Sequence, residues 1–89
     1  MSSSLGLLEF PCDFPIKIVC RNDANITAND IVMLIQPHWP ACSIERIDAK
    51  VSNQNQYISF TAHIVANSQQ QLDAIYQDLS SHPLTILVL

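Results

Sequence analysis

A chain of 89 residues, 48% of them apolar, has material for one small domain with a thin core. Only 13% of residues are charged, the net charge is −4, and the fixed cations are limited to Lys17, Arg21, Arg46 and Lys50. Spread along the chain in this way they promise no clustered phosphate-binding surface, so nucleic acid is not an expected partner.

The longest apolar run, Ile31 to Ile35, is five residues, far short of the roughly 18 that cross a bilayer. Nor does a cationic stretch precede an apolar one at Met1-Ser2-Ser3-Ser4-Leu5, so neither a signal peptide nor a membrane partner is expected. Three cysteines, Cys12, Cys20 and Cys42, form no disulfide framework, and the odd count suits reduced thiols in the cytoplasm.

Residues 1–13 read as a Ser-rich leader followed by an apolar arm that Pro11 keeps out of a helix, and residues 14–89 as a single domain. Phe14 to Arg21 alternates with period two, placing Phe14, Ile16, Ile18 and Cys20 on one face and Pro15, Lys17, Val19 and Arg21 on the other. After the polar turn from Asn22 to Asn25, Thr27 with Asp30 three residues on offers a weak capping box, and a helix runs to about Gln36, where Pro37 and Pro40 stop it.

Alternation returns from Ser43 to Val51, with Ile47, Ala49 and Val51 on one side and Arg46, Asp48 and Lys50 on the other. A turn over residues 52–56 follows, in which Asn55 suits a positive φ. The strand Tyr57 to Val65 closes a hairpin, with Ile58, Phe60, Ala62 and Ile64 inward and Tyr57, Ser59, Thr61 and His63 outward. Ser68 with Gln71 reads as a second capping box, opening a helix with a narrow stripe of Leu72, Ile75, Tyr76 and Leu79. Leu84 to Leu89 is a last strand, apolar on both faces.

The order β-α-β-β-α-β predicts an α+β fold of the ferredoxin-like plait: a four-stranded antiparallel sheet with both helices on one face. The last strand falls at a sheet edge, and an uncharged apolar edge invites pairing with another chain unless the N-terminal arm covers it. A homo-oligomer, in the simplest case a dimer, is therefore expected, or else a protein partner.

Catalysis finds little support. Cys20 alternates into the buried face. Cys12 and Cys42 fall in an arm and a loop where a thiol can be exposed, yet no local spacing supplies the base or helix N-terminus that would activate it. His38 and Cys42 stand four apart, but Pro37 and Pro40 deny them the helix that would align them as metal ligands. His63 and His82 belong to unrelated elements, and the eight carboxylates are evenly spread. With Gly6 the single glycine, no phosphate-cradling loop is available. No enzyme, metal or cofactor is expected. Trp39, between two prolines, either caps the core or offers a contact surface.

Leu7-Leu8-Glu9-Phe10-Pro11 with Phe14 and Lys17, the Gln36, His38 and Pro40 segment, Lys50 through Tyr57, the Leu72–Tyr76–Leu79 stripe and the terminal Val88-Leu89 together resemble the YbeD-like family. These are small bacterial proteins labelled lipoate regulators, and they look like ACT-type modules that sense small molecules. The chain departs from that family at Asn55 and Cys20, where the family has glycine, and at Ile86, where it has a basic residue. The resemblance implies a regulatory domain, a connection to lipoate metabolism, and a small-molecule effector at the loop Arg21, Asn22, Asp23, Asn25 and Thr27. The competing expectation is a protein-recognition surface of Leu7, Leu8, Phe10, Trp39, Tyr57 and His63.

Overall fold

Alternating burial along Cys12–Arg21 makes this segment β1, a strand whose Ile16, Ile18 and Cys20 are fully buried while Lys17 and Arg21 are exposed. The computed structural model describes residues 9–52 and 54–89; Leu7 and Leu8 lie outside the described residues. β1 begins two residues earlier than its alternation predicts, because Cys12 and Asp13 already pair with Ala66 and Val65.

Helix α1, Ala28–Ile35, starts at a complete capping box. The Asp30 amide donates to Thr27 Oγ1 at 3.4 Å and the Thr27 amide donates to Asp30 Oδ2 at 2.7 Å. Its apolar face buries Ile31, Val32 and Ile35.

The expected strand from Ser43 divides in two. Ile44–Arg46 is a single 3-10 turn, and β2 is only Ile47–Val51. The Gln36 side chain pins the Cys42 carbonyl at 2.9 Å, so the chain turns tightly before it can join the sheet. Of the predicted inner face only Ile47 is buried, and Val51 is 42% exposed. The helices leave this end of the edge strand uncovered.

β3, Tyr57–Ala66, pairs with β2 and along the whole of β1. In the turn between β2 and β3, Asn55 takes the left-handed conformation its side chain tolerates (φ 58°). α2, Gln69–Ser80, buries Leu72, Ile75 and Leu79. Ser68 caps it by accepting from the Gln71 amide at 3.1 Å. The expected return half of that box is redirected: Gln71 Oε1 accepts from the Asn67 amide and Gln71 Nε2 donates to the His38 carbonyl, which ties α2 to the segment after α1.

β4, Thr85–Val88, completes the antiparallel sheet in the order β2-β3-β1-β4, leaving β4 at an edge as expected. Its inner residues are not the predicted Leu84, Ile86 and Val88 series. Val19 pairs with Leu87 but Cys20 with Thr85, so Ile86 is an extra, bulged residue, 45% exposed. The bulge turns Thr85 inward, where its hydroxyl donates to the Leu79 carbonyl at 2.8 Å. Strands and helices in this order form the ferredoxin-like plait, and the core is the layer between one sheet face and the two helices. Phe60 is the largest of its fully buried side chains.

Candidate functional site

Two-residue alternation that buries one sheet face obliges the other to meet solvent, and both helices pack on the buried side. The open face can be read row by row from the register. Lys50, Ser59, Val19 and Leu87 form one row; Asp48, Thr61 and Lys17 form the next; Arg21 stands opposite Tyr57 and Pro15 opposite His63. Leu89 extends the second row, exchanging backbone hydrogen bonds with Lys17 at 2.7 and 3.1 Å.

Three of the four fixed cations, Lys17, Arg21 and Lys50, therefore share one face. They are scattered along the chain but not in space. Strand parity hinted at this, but only register shows that β2 and β1 turn their cations to the same side. Among the described residues, the two close side-chain contacts to carboxylates from basic residues come from histidines, and neither involves a lysine or arginine. His63 Nε2 meets Asp48 Oδ2 at 2.8 Å on the open face. His38 Nε2 meets Asp78 Oδ2 at 2.5 Å, joining the post-α1 turn to α2.

The predicted ligand loop is occupied with its own hydrogen bonds. The Asn25 amide donates to Asp23 Oδ1 at 2.8 Å, the Ile26 amide to the Asp23 carbonyl at 3.1 Å, and Thr27 to Asp30. Asn22 Nδ2 donates to the Asn55 carbonyl at 2.9 Å, and Ile26 is buried in the core. The amides of Asn25, Ile26 and Thr27 are thus turned onto Asp23 and Asp30, and of these five residues only Arg21 projects toward the open face.

Of the predicted protein-contact residues, Tyr57 and His63 lie on the open face and Phe10 is exposed in the arm. Trp39 is removed from that group: it is 7% exposed, packed in the core with the Arg46 guanidinium 5.4 Å from its ring. Its turn is held inward because the Trp39 amide donates to the Ile35 carbonyl and His38 is anchored to α2. The arm and the open face do not form one surface with Trp39.

Cys42 is also corrected, being 2% exposed rather than open to solvent. Burial pushes the Cys42 thiol up, partly offset by the charge of Arg46, and burial likewise raises Cys20 despite its contact with Thr85. Cys12 is half-buried. A thiol reagent at pH 8 should therefore modify Cys12 rapidly and Cys20 and Cys42 only at the rate of unfolding; equal rates at Cys12 and Cys42 would contradict this burial. Because both raised thiols stay protonated in the fold, their contribution to stability is complete below the ordinary value of 9.0 and is lost as pH rises through it. Melting temperature should fall less steeply between pH 8 and 10 in Cys42→Ala than in the unaltered protein.

A shallow depression of about 270 Å³ lies where β2 ends short of β3, lined by Asp13, Phe14, Pro15, Arg46, His63 and Ile64. No set of three or more His, Cys, Asp or Glu side chains capable of holding a metal occurs among the described residues. Among those residues, no helix is long and apolar enough to cross a membrane.

Residues 6–89 match the family model described as protein of unknown function (DUF493). The chain belongs to this family. A UPF0250 protein of Nitrosomonas europaea is 34% identical over 84 residues, covering 94% of this chain and 95% of that protein. One from Vesicomyosocius okutanii is 39% identical over 88 residues, covering 99% and 95% respectively. These relatives bear out the YbeD-like resemblance. The solution structure of protein HP0495 from H. pylori superposes with a TM-score of 0.71 at 15% identity, over 100% of this chain and 94% of that one. That likeness supports the plait and nothing finer.

Proposed function

We propose that this member of the DUF493 family is a non-catalytic interaction domain that receives a protein partner on the open face of its sheet. The observation that carries the reading is the combination on that face of cations without carboxylate partners and half-exposed apolar residues: Tyr57 is 45%, Leu87 42% and Leu89 64% exposed. Scattered exposed apolar residues are ordinary, but on one surface beside desolvatable charges they are what a protein contact uses.

A regulatory role connected to lipoate metabolism is compatible with such a domain, exercised through the partner. Direct small-molecule sensing at Arg21–Thr27 has weaker support, because the amides of Asn25, Ile26 and Thr27 are spent on Asp23 and Asp30. Lipoic acid, lipoyl-lysine and free amino acids should accordingly leave the melting temperature unchanged.

The test is site-specific photocrosslinking in cells. A photoreactive amino acid at Thr61, in the middle of the open face, should give a discrete crosslinked product, and the same group at Asp73 on α2 should not. A band at twice the 9.9 kDa chain mass would identify the partner as a second copy. No product from Thr61, or the same products from both positions, would end the proposal.

A further inference from the structure

The partner's chemistry can be narrowed, given that the open face is a contact surface. We infer that it is an acidic, amphipathic protein segment. The protein carries eight carboxylates against four fixed cations, yet Lys17, Arg21 and Lys50 are collected on one face. Two carboxylates share that face: Asp48, engaged by His63 at 2.8 Å, and Asp13, opposite Val65 at the far end of β1 from Arg21. The opposite layer bears Asp30 on α1 and Asp73 and Asp78 on α2. An acidic protein with a cationic face selects acidic partners and repels most others, since complementary charge governs specificity and encounter rate.

Spacing and apolar content favour a protein segment over a nucleic acid. Lys17 and Arg21 are four residues apart on one strand, about 13 Å by strand rise. Carboxylates two turns apart on a helix stand about 11 Å from one another, within reach of both long side chains. Val19 and Leu87 lie in the row between the two cations, available to apolar side chains of the same segment. A nucleic acid would find three cations on a protein of net charge −4, and on that face one aromatic ring, Tyr57, for stacking.

The experiment is an amide chemical-shift titration of the full chain with three probes. These are a helical peptide bearing Glu and Leu on one face, its counterpart with Lys for Glu, and a single-stranded oligouridine RNA. The Glu/Leu peptide should give saturable shifts centred on Lys17, Val19, Arg21, Lys50 and Leu87. Its dissociation constant should rise about tenfold in a Lys17→Gln, Lys50→Gln double variant and again at 0.5 M salt, as loss of two exposed ion pairs and screening require. Both side chains are exposed, so an unchanged melting temperature confirms that the variant is folded. Absence of saturable shifts with the Glu/Leu peptide, shifts confined to α1 and α2, or tighter binding of the RNA would overturn the inference. If the Lys/Leu peptide binds the same residues equally well, the open face stands as a contact surface and only its selectivity for acidic partners fails. If Thr61 also yields no crosslink in cells, the contact surface fails as well.

Discussion

Replacing Phe60 with alanine should remove about 3–5 kcal/mol of stability, the range for truncating a buried phenylalanine. Phe60 is 1% exposed, sits on β3 opposite Ile18 of β1 and Ala49 of β2, and has the largest fully buried side chain in the core. A domain of this size holds about 4–13 kcal/mol in total, at 0.05–0.15 kcal/mol per residue. The variant thus loses about a quarter or more of its stability and, by the same scale, most of it if the total is small. Thermal melting followed by circular dichroism should show the midpoint falling by about 12 °C or more, given about 4–8 °C per kcal/mol for small domains. Phe60→Leu keeps most of the volume and should cost about 1 kcal/mol. A Phe60→Ala protein that melts within a few degrees of the original would mean that the two helices are not packed on this face.

The second large effect is at Trp39. Truncation to alanine should cost about 3 kcal/mol, because the ring is 7% exposed and its removal leaves both a cavity and an unstacked Arg46. Trp39→Phe retains part of the packing and should cost roughly half as much. The result separates two roles for the residue. A core cap loses stability on truncation while the open-face titration stays unchanged in the protein that remains folded. A contact anchor would do the reverse, keeping its melting temperature and losing partner binding. As the single tryptophan of the chain, it also supplies the readout in the unaltered protein: its emission should move to longer wavelength on unfolding, and an unshifted spectrum would contradict its burial.

The elements were legible because their signals are local. Phe14 to Cys20 alternates on its own, Thr27 and Asp30 can close a capping box within one turn, and Asn55 marks the left-handed turn position without reference to anything distant. Signals that depended on neighbours misled. Ala49 and Val51 have the parity of core residues, but the helices do not reach that end of β2. Ile86 has the parity of an inner residue and is bulged outward so that Thr85 can reach Leu79. Cys42 follows two prolines and reads as loop, but Gln36 and the Trp39 turn draw it inside.

From its sequence alone this protein was determined to be a small ferredoxin-like plait, because strand period, helix stripe and caps act over a few residues and leave few topologies open. The YbeD-like family came separately, from the resemblance of segments such as Leu7–Pro11 and Lys50–Tyr57. Tertiary structure decided where the surfaces are. It gathered Lys17, Arg21 and Lys50 from two strands onto one face, joined His38 to Asp78 across 40 positions, and tied the Asn22 side chain to the Asn55 carbonyl in the turn between β2 and β3. Each of these depends on register or docking between segments far apart in the chain. A change of one residue in β-pairing reverses which side chains face solvent, and no local pattern records it.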